Sequence, residues 1–195
     1  SQEIDKTSDK EVFIGKMIPG RGAWLEFDTD KRDTLGVRVD RKRRQHITGF
    51  LMALDVIENK EDAIELLGDY PSVRNTIERD PDTTREAALI DLYRKLRPGE
   101  PATVESARNL VKQMFYTPKR YDLTKVGRYK VEQKLGRQYG EKDAESYTTE
   151  DDGMLRIEDM IDSIKYVIAL HAGEDSFINN KGKETVSYTH LTLPT

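Results

Sequence analysis

Two short stretches with alternating apolar and polar residues constrain the fold of this chain more than any other feature. Leu25 and Phe27 alternate with polar residues in the first stretch, and Val37 and Val39 do so in the second. Successive side chains of a β-strand point to opposite faces of the sheet, so this period of two is typical of paired strands. A polar loop at residues 29–33 separates the two stretches. The sequence therefore predicts a β-hairpin.

The second predicted strand continues into a dense run of positive charge. Residues 38–44 contain five arginines or lysines and one acid, Asp40, which gives a net charge of +4. The only tryptophan of the chain, Trp24, opens the first strand. An exposed indole beside cations can stack on an unpaired base, whereas most large aromatic side chains are buried in the core. The basic run can equally be an ordinary solvated turn, so both interpretations remain open.

Composition limits the class of protein. With 195 residues and 36% hydrophobic content, the chain can bury one core, and a single domain is the default expectation. The 36 acidic and 32 basic residues leave a net charge of -4, so a case for nucleic-acid binding depends on local clusters. There is no cysteine, and no apolar run approaches the length of a membrane span, about 18 residues. We therefore expect a soluble, cytoplasmic protein.

Most of the remaining chain shows a helical spacing of apolar residues. Residues 1–10 and 11–18 are predicted as the two arms of an earlier hairpin. Thr83 and Glu86 form a capping-box pattern, and the prolines after residue 97 must end the helix that follows. We predict an α+β fold in which a β-hairpin region is followed by several packed helices, at residues 46–57, 60–67, 72–79, 84–96, 104–115 and 157–171.

No catalytic or metal-binding constellation is visible in the sequence. None of His46, His171 and His190 has another ligand at a metal-binding spacing. Residues 20–24, GRGAW, lack the spaced glycines and the lysine followed by Ser or Thr of a phosphate-binding loop. We therefore predict no catalytic site and no cofactor on this chain.

Four separated blocks carry a resemblance to a known family. The first is residues 17–45, which contain IPGRGAWLEFD and VRVDRKRRQ, and the others are LIDLYRKLRPGEP (89–101), ESARNLVKQMF (105–115) and KRYDLTKVGRYKVEQKLG (119–136). In this order they resemble the lobe domain of the β subunit of bacterial RNA polymerase, and the resemblance covers most of residues 11–172. It implies a lobe domain, over residues 1–185, of an enzyme that synthesises RNA on a DNA template.

The resemblance also implies a DNA-binding role for the tryptophan and the basic run. Trp24 corresponds to a tryptophan that stacks on a base of the non-template strand, near the downstream edge of the transcription bubble. Arg41, Lys42 and Arg43 correspond to positions that line the cleft for downstream DNA. Lys42 stands where arginine is frequent, which keeps the charge but loses the bidentate fork of a guanidinium.

Two further arginines match residues that face the same single strand in this family, Arg97 and Arg120. Arg120 lies in a second basic segment, residues 118–136, with six positive residues against two acids and with tyrosines interleaved. Both arginines also have simpler explanations, because Arg97 follows a predicted helix C-terminus and Arg120 can pair with Asp122.

The partners that the resemblance implies are DNA, as non-template strand and downstream duplex, and the β prime, α and σ subunits. The catalytic Mg²⁺ of this family is held by β prime, which agrees with the lack of a metal site here. Two other interpretations remain, namely a protein-interaction module that docks polymerase subunits or transcription factors, and a free-standing single-strand binder. A steep salt dependence of binding to single-stranded DNA would favour nucleic acid as the ligand.

The two ends of the chain suggest a piece of a longer protein. The sequence does not begin with Met, and in the resembled family its first residue corresponds to a point well inside a much larger subunit. Residues 186–195, VSYTHLTLPT, do not continue the resemblance and look like translated sequencing-adapter sequence. We predict that they are a non-native tail.

Overall fold

The computed structural model describes residues 2–5, 10–117, 121, 123–135 and 155–173. Within these ranges one antiparallel sheet is formed, in which each strand pairs with the next strand along the chain. Its five strands are β1 (Gln2–Asp5), β2 (Lys10–Met17), β3 (Leu25–Thr29), β4 (Leu35–Val39) and β5 (Gln45–His46).

Strands β3 and β4 form the hairpin predicted from the alternating pattern. Leu25 pairs with Val39 and Phe27 pairs with Val37. All four side chains are buried, which is the reason why the apolar residues recur at every second position. The pairing of β1 with β2 confirms the earlier predicted hairpin as well.

Seven α-helices are described, so the α+β fold class is confirmed. None of them is both long enough and apolar enough to cross a membrane, within the ranges that the structure describes. The helices are α1 (Ile47–Ala53), α2 (Ala63–Leu67, preceded by a 3-10 turn at Lys60–Asp62), α3 (Pro71–Arg79), α4 (Arg85–Leu96), α5 (Val104–Phe115), α6 (Thr124–Lys134) and α7 (Ile157–Ala172).

Two helix ends differ from the prediction. Helix α1 ends before residue 57, because Asp55 adopts a left-handed conformation with φ of 62°. There Val56 N–H donates to Leu51 O at 3.0 Å and Asp55 N–H to Met52 O at 3.0 Å, the bonding pattern of a Schellman motif. Helix α4 is capped by Thr84, whose hydroxyl accepts from Ala87 N–H at 3.2 Å, so the predicted capping box of Thr83 and Glu86 is wrong: the cap lies one residue later and Ala87 cannot close a box.

The core lies between the sheet and the helices. Helix α7 packs on β2 and β3, whereas α1 packs on β4, β5 and α4, and α4 packs on α5. Phe27 of the sheet, Phe50 of α1, Leu89 of α4 and Ile164 of α7 are all buried members of one apolar cluster. The chain segment after β4 lies outside this cluster, since residues 40–43 are all exposed.

Candidate nucleic-acid interface

A tight turn follows β4 and presents the basic run. Asp40 and Arg41 both have positive φ, of 50° and 58°, and Lys42 N–H closes the turn by donating to Val39 O at 2.9 Å. Two successive left-handed residues at the centre of a turn define type I′, whose twist matches that of the strands it leaves. The side chains of Arg41, Lys42 and Arg43 are exposed as a result.

Asp40 joins this turn to Trp24 through two hydrogen bonds. Trp24 N–H donates to Asp40 Oδ1 at 2.8 Å, and Asp40 N–H donates to Trp24 O at 2.8 Å. The β3–β4 register brings the two residues opposite each other, because Leu25 and Val39 are the last paired residues before them. The tryptophan backbone is therefore fixed to the turn that carries the cations.

Arg41 lies on the ring of Trp24. Its guanidinium carbon is 4.4 Å from the ring centroid, which is a cation–π contact worth about 0.5–1 kcal/mol at an exposed site. Trp24 is half-buried between two buried neighbours, Ala23 and Leu25. The indole is thus not sealed in the core, and the structure brings it together with one of the predicted cations.

Two other arginines of the run point back to the sheet. Arg38 Nη1 lies 2.7 Å from Asp28 Oδ2, and Arg44 Nε lies 2.5 Å from Asp28 Oδ1. Arg44 also donates to Thr34 O at 2.8 Å. A Cβ at Gly36 would lie 2.3 Å from the Arg44 guanidinium carbon, so any other residue there would displace Arg44 from its observed position. Of the five cations in the run, three therefore remain exposed at the turn.

The remaining predicted contacts, Arg97 and Arg120, are not brought to this turn by any described contact. Arg97 caps the C-terminus of α4, where its N–H donates to Tyr93 O at 2.7 Å, and its side chain is exposed. Its position agrees with the simpler explanation of a cation at a helix C-terminus. Arg120 lies outside the described residues.

The second basic segment loses one of its six positive charges to the core. Arg128 of α6 is completely buried and its Nη1 lies 2.7 Å from Asp159 Oδ2, which is also completely buried. Asp159 accepts in addition from Arg156 N–H at 2.9 Å, at the start of α7. This pair ties α6 to α7. In the sequence Arg128 is only one of six positive residues of a basic segment, because no spacing rule relates it to an acid 31 positions later.

The histidines in the described ranges have ordinary neighbours. His171 Nε2 lies 3.5 Å from Asp33 Oδ1, and its ring stands edge-on to Phe13 at 5.8 Å between centroids. Burial, together with the charges of Arg44 and Lys95, lowers the pKa of His46. Among the described residues no group of three His, Cys, Asp or Glu side chains is arranged to hold a metal ion.

Asp40 is the residue of this site that the sequence analysis missed. In the sequence it stands out only as the one negative charge within the basic run, residues 38–44. Its position after a strand was a usable signal, since Asp tolerates the left-handed conformation of a tight turn and its side chain accepts backbone hydrogen bonds. The interface is therefore built from Trp24, Asp40 and Arg41, with Lys42 and Arg43 beside them.

Sequence comparison with known proteins assigns the chain to a family. The chain matches the family model described as RNA polymerase Rpb2, domain 2, over residues 1–177. It is 50% identical over 186 residues to the DNA-directed RNA polymerase subunit beta of Streptomyces avermitilis, 50% over 182 residues to that of Paenarthrobacter aurescens and 49% over 186 residues to that of Streptomyces coelicolor.

These alignments cover 95%, 92% and 95% of this chain, and 15% of each relative. The chain thus spans about 15% of the length of the curated relatives that it matches. The family match extends from the first strand to beyond α7 and includes the whole of the basic turn. The chain therefore belongs to the RNA polymerase Rpb2 domain 2 family.

Proposed function

We propose that this chain forms part of the β subunit of a bacterial DNA-directed RNA polymerase and provides a wall of the DNA cleft. The relatives at about 50% identity support its place in that subunit. The observation that carries the DNA contact is the exposed basic turn with Arg41 stacked 4.4 Å from the centroid of Trp24. In this proposal the turn contacts the non-template strand and downstream DNA.

The indole of Trp24 and the cations of the turn would make different contacts with DNA. An indole offers a flat surface on which any base can stack, and such stacking contributes about 1–3 kcal/mol per base. Lys42 and Arg43 are exposed, so they are able to reach phosphates. Phosphate contacts are independent of sequence and weaken as the salt concentration rises. Stacking and charge together would hold a melted strand without reading its sequence.

The nucleotide-addition chemistry lies elsewhere in this proposal. Mg²⁺ and the reacting groups belong to the β prime subunit, and this chain contributes no catalytic residue. DNA and the β prime, α and σ subunits are accordingly its proposed partners, and the cytoplasm is its proposed location. A variant in this turn should therefore change DNA binding and leave catalysis intact.

The experiment that tests the proposal replaces Trp24 in the assembled polymerase. We expect Trp24→Ala to reduce open-complex stability roughly 5- to 150-fold, the equivalent of losing about 1–3 kcal/mol of base stacking. Trp24→Phe keeps a flat ring and serves as the matched control with a smaller loss. The rate of nucleotide addition on a preassembled scaffold should stay unchanged. A large fall of that rate, or an unchanged open complex, would contradict the proposal.

A second candidate function is docking of another polymerase subunit or a transcription factor. It is favoured by a cleft of about 600 Å³ between α1, α4 and α5, whose lining combines apolar residues with three cations, Arg85, Arg108 and Lys112, and one acid, Asp55, which pairs with Arg85 at 2.7 Å. Binding of single-stranded DNA separates the two candidates. If Arg108→Ala with Lys112→Ala weakens DNA binding as much as Lys42→Ala with Arg43→Ala does, the turn has no special role.

A further inference from the structure

We infer that Asp40 is the positioning residue of this interface, whose carboxylate holds Trp24 and the Arg41 turn in one arrangement before DNA arrives. This inference rests on the proposed function, because only then is the Trp24–Arg41 pair a binding surface. Asp40 itself need not touch the nucleic acid. It acts through the residues that it orients.

The first support is the pair of hydrogen bonds between Asp40 and Trp24. One uses the Asp40 backbone as donor, and the other uses its side chain as acceptor, at 2.8 Å each. The backbone bond extends the β3–β4 ladder by one residue and would survive most substitutions. The carboxylate bond to Trp24 N–H depends on the side chain. Asp40 therefore contributes a side-chain acceptor for Trp24 N–H, which an apolar residue at this position would lack.

The second support is the backbone conformation of the turn. Asp40 and Arg41 have φ of 50° and 58°. Asp and Asn adopt this conformation more readily than other residues with a Cβ, whereas a long side chain such as that of arginine rarely does. Such a conformation persists when surrounding contacts require it. The closing bond from Lys42 N–H to Val39 O and the Asp40 carboxylate are two such contacts.

The third support is the place of Asp40 relative to the core. Tyr121 is buried just before α6, and burial together with the charges of Asp159 and Asp40 raises the pKa of its hydroxyl. Asp40 is itself exposed, as Arg41 and Lys42 are, but its carboxylate is close enough to Tyr121 for its charge to act on that buried hydroxyl. The exposed turn is thus adjacent to a buried residue at Asp40.

The choice of variants separates the carboxylate from the backbone. Asp40→Gly retains full freedom for positive φ but removes the side-chain acceptor. Asp40→Asn keeps an acceptor oxygen and tolerates positive φ, and it removes only the charge. If the carboxylate oxygen positions the site, Asp40→Asn should behave as the unmodified chain does, and Asp40→Gly should not.

The test reads the Trp24–Arg41 contact directly in the full 195-residue chain. Trp24 is its only tryptophan, so the ring current acting on the Arg41 side-chain protons, measured by NMR, reports this one contact. We expect the upfield shift of these protons to be retained in Asp40→Asn and lost in Asp40→Gly. Thermal melting followed by circular dichroism verifies that each variant is folded. A shift retained in Asp40→Gly, or lost in folded Asp40→Asn, would overturn the inference.

The same variants in the assembled polymerase link positioning to DNA. Both substitutions remove the same negative charge, so we expect Asp40→Gly to lower open-complex stability severalfold relative to Asp40→Asn, in the direction of Trp24→Ala. The two failures are distinguishable. The proposed function fails if Trp24→Ala itself has no effect on DNA binding. The positioning role alone fails if Trp24→Ala weakens binding and Asp40→Gly has neither the NMR nor the DNA effect.

Discussion

Arg128 and Arg41 use the same side chain in opposite surroundings. Arg128 is completely buried and pairs with the equally buried Asp159, whereas Arg41 lies on an exposed turn and covers the ring of Trp24. A buried guanidinium has lost its hydration, so it depends on partners inside the protein for compensation, and Asp159 is one of them. The exposed guanidinium remains hydrated and gains little from its ring. The first arginine therefore belongs to the fold, and the second remains available for a ligand.

The largest expected effect comes from replacing Arg128, the buried arginine of this comparison. Arg128→Met should lower the free energy of unfolding by about 3–5 kcal/mol, because it removes the buried cation that lies 2.7 Å from the buried Asp159 Oδ2. Urea denaturation of the full chain measures the change. The double variant with Asp159→Asn should recover most of the loss, since it removes the buried charge and keeps the acceptor for Arg156 N–H. A loss below about 1 kcal/mol in the single variant would mean that the fold does not depend on the Arg128–Asp159 pair.

An intermediate case lies on β3, where Asp28 receives both Arg38 and Arg44. Asp28→Asn should lower the free energy of unfolding by about 1–3 kcal/mol, because the partly buried Arg44 loses the nearer of its two anionic partners and keeps only Asp30 at 3.6 Å. Glu26→Gln on the same strand is the matched control. Glu26 pairs with Lys16 at 3.5 Å with more exposure, so its loss should amount to about 1 kcal/mol or less. Equal effects of the two variants would show that burial does not set the difference.

Asp82 extends the comparison to an acid that is buried among other acids. Burial, followed by the charges of Asp91 and Asp80, raises its pKa to about 6. The folded state therefore binds this proton more tightly than the unfolded chain, whose aspartate pKa is about 3.9. The stabilisation from the proton is complete below pH 4 and is lost as the pH rises through about 6.

Replacing this acid should have the opposite sign to the first two variants. We expect Asp82→Asn to raise the free energy of unfolding at pH 8 by about 1–3 kcal/mol, and to flatten its decline between pH 4 and pH 7. Urea denaturation across this pH range measures both changes. An unchanged pH profile would mean that Asp82 titrates in the folded state as it does in the unfolded chain.

The smallest expected effect on stability is at the exposed turn. The double variant Lys42→Ala with Arg43→Ala should change the free energy of unfolding by less than about 0.5 kcal/mol, since both side chains are exposed. In the assembled polymerase it should weaken the salt dependence of DNA binding. The slope of log K against log salt concentration should fall in magnitude by about 1 for each lost phosphate contact. Lys31→Ala with Arg32→Ala removes two exposed cations from the β3–β4 loop and is the control. An equal effect of the control would mean that only net charge matters.

Gly49 illustrates how far the sequence analysis reached. The apolar spacing around it predicts a helix, and α1 is found there, although glycine disfavours helices. In the structure a Cβ at this position would be crowded, at 3.0 Å from Asp82 Oδ2 and 3.2 Å from Asp80 Oδ2. Those acids come more than 30 positions later. Local spacing predicted the element, but only the packed chain shows which side chains surround the glycine.

The β3–β4 hairpin, most of the helices and membership of the family can be read from the amino-acid sequence, since strand and helix periods and matching blocks are local properties of a chain. Which cations stay available for a ligand depends on packing. Arg128 is buried and Arg44 is partly buried beside Asp28, whereas Arg41, Lys42 and Arg43 are exposed. Burial and pairing depend on which distant segments pack together, and a run of like charges contains no record of those partners.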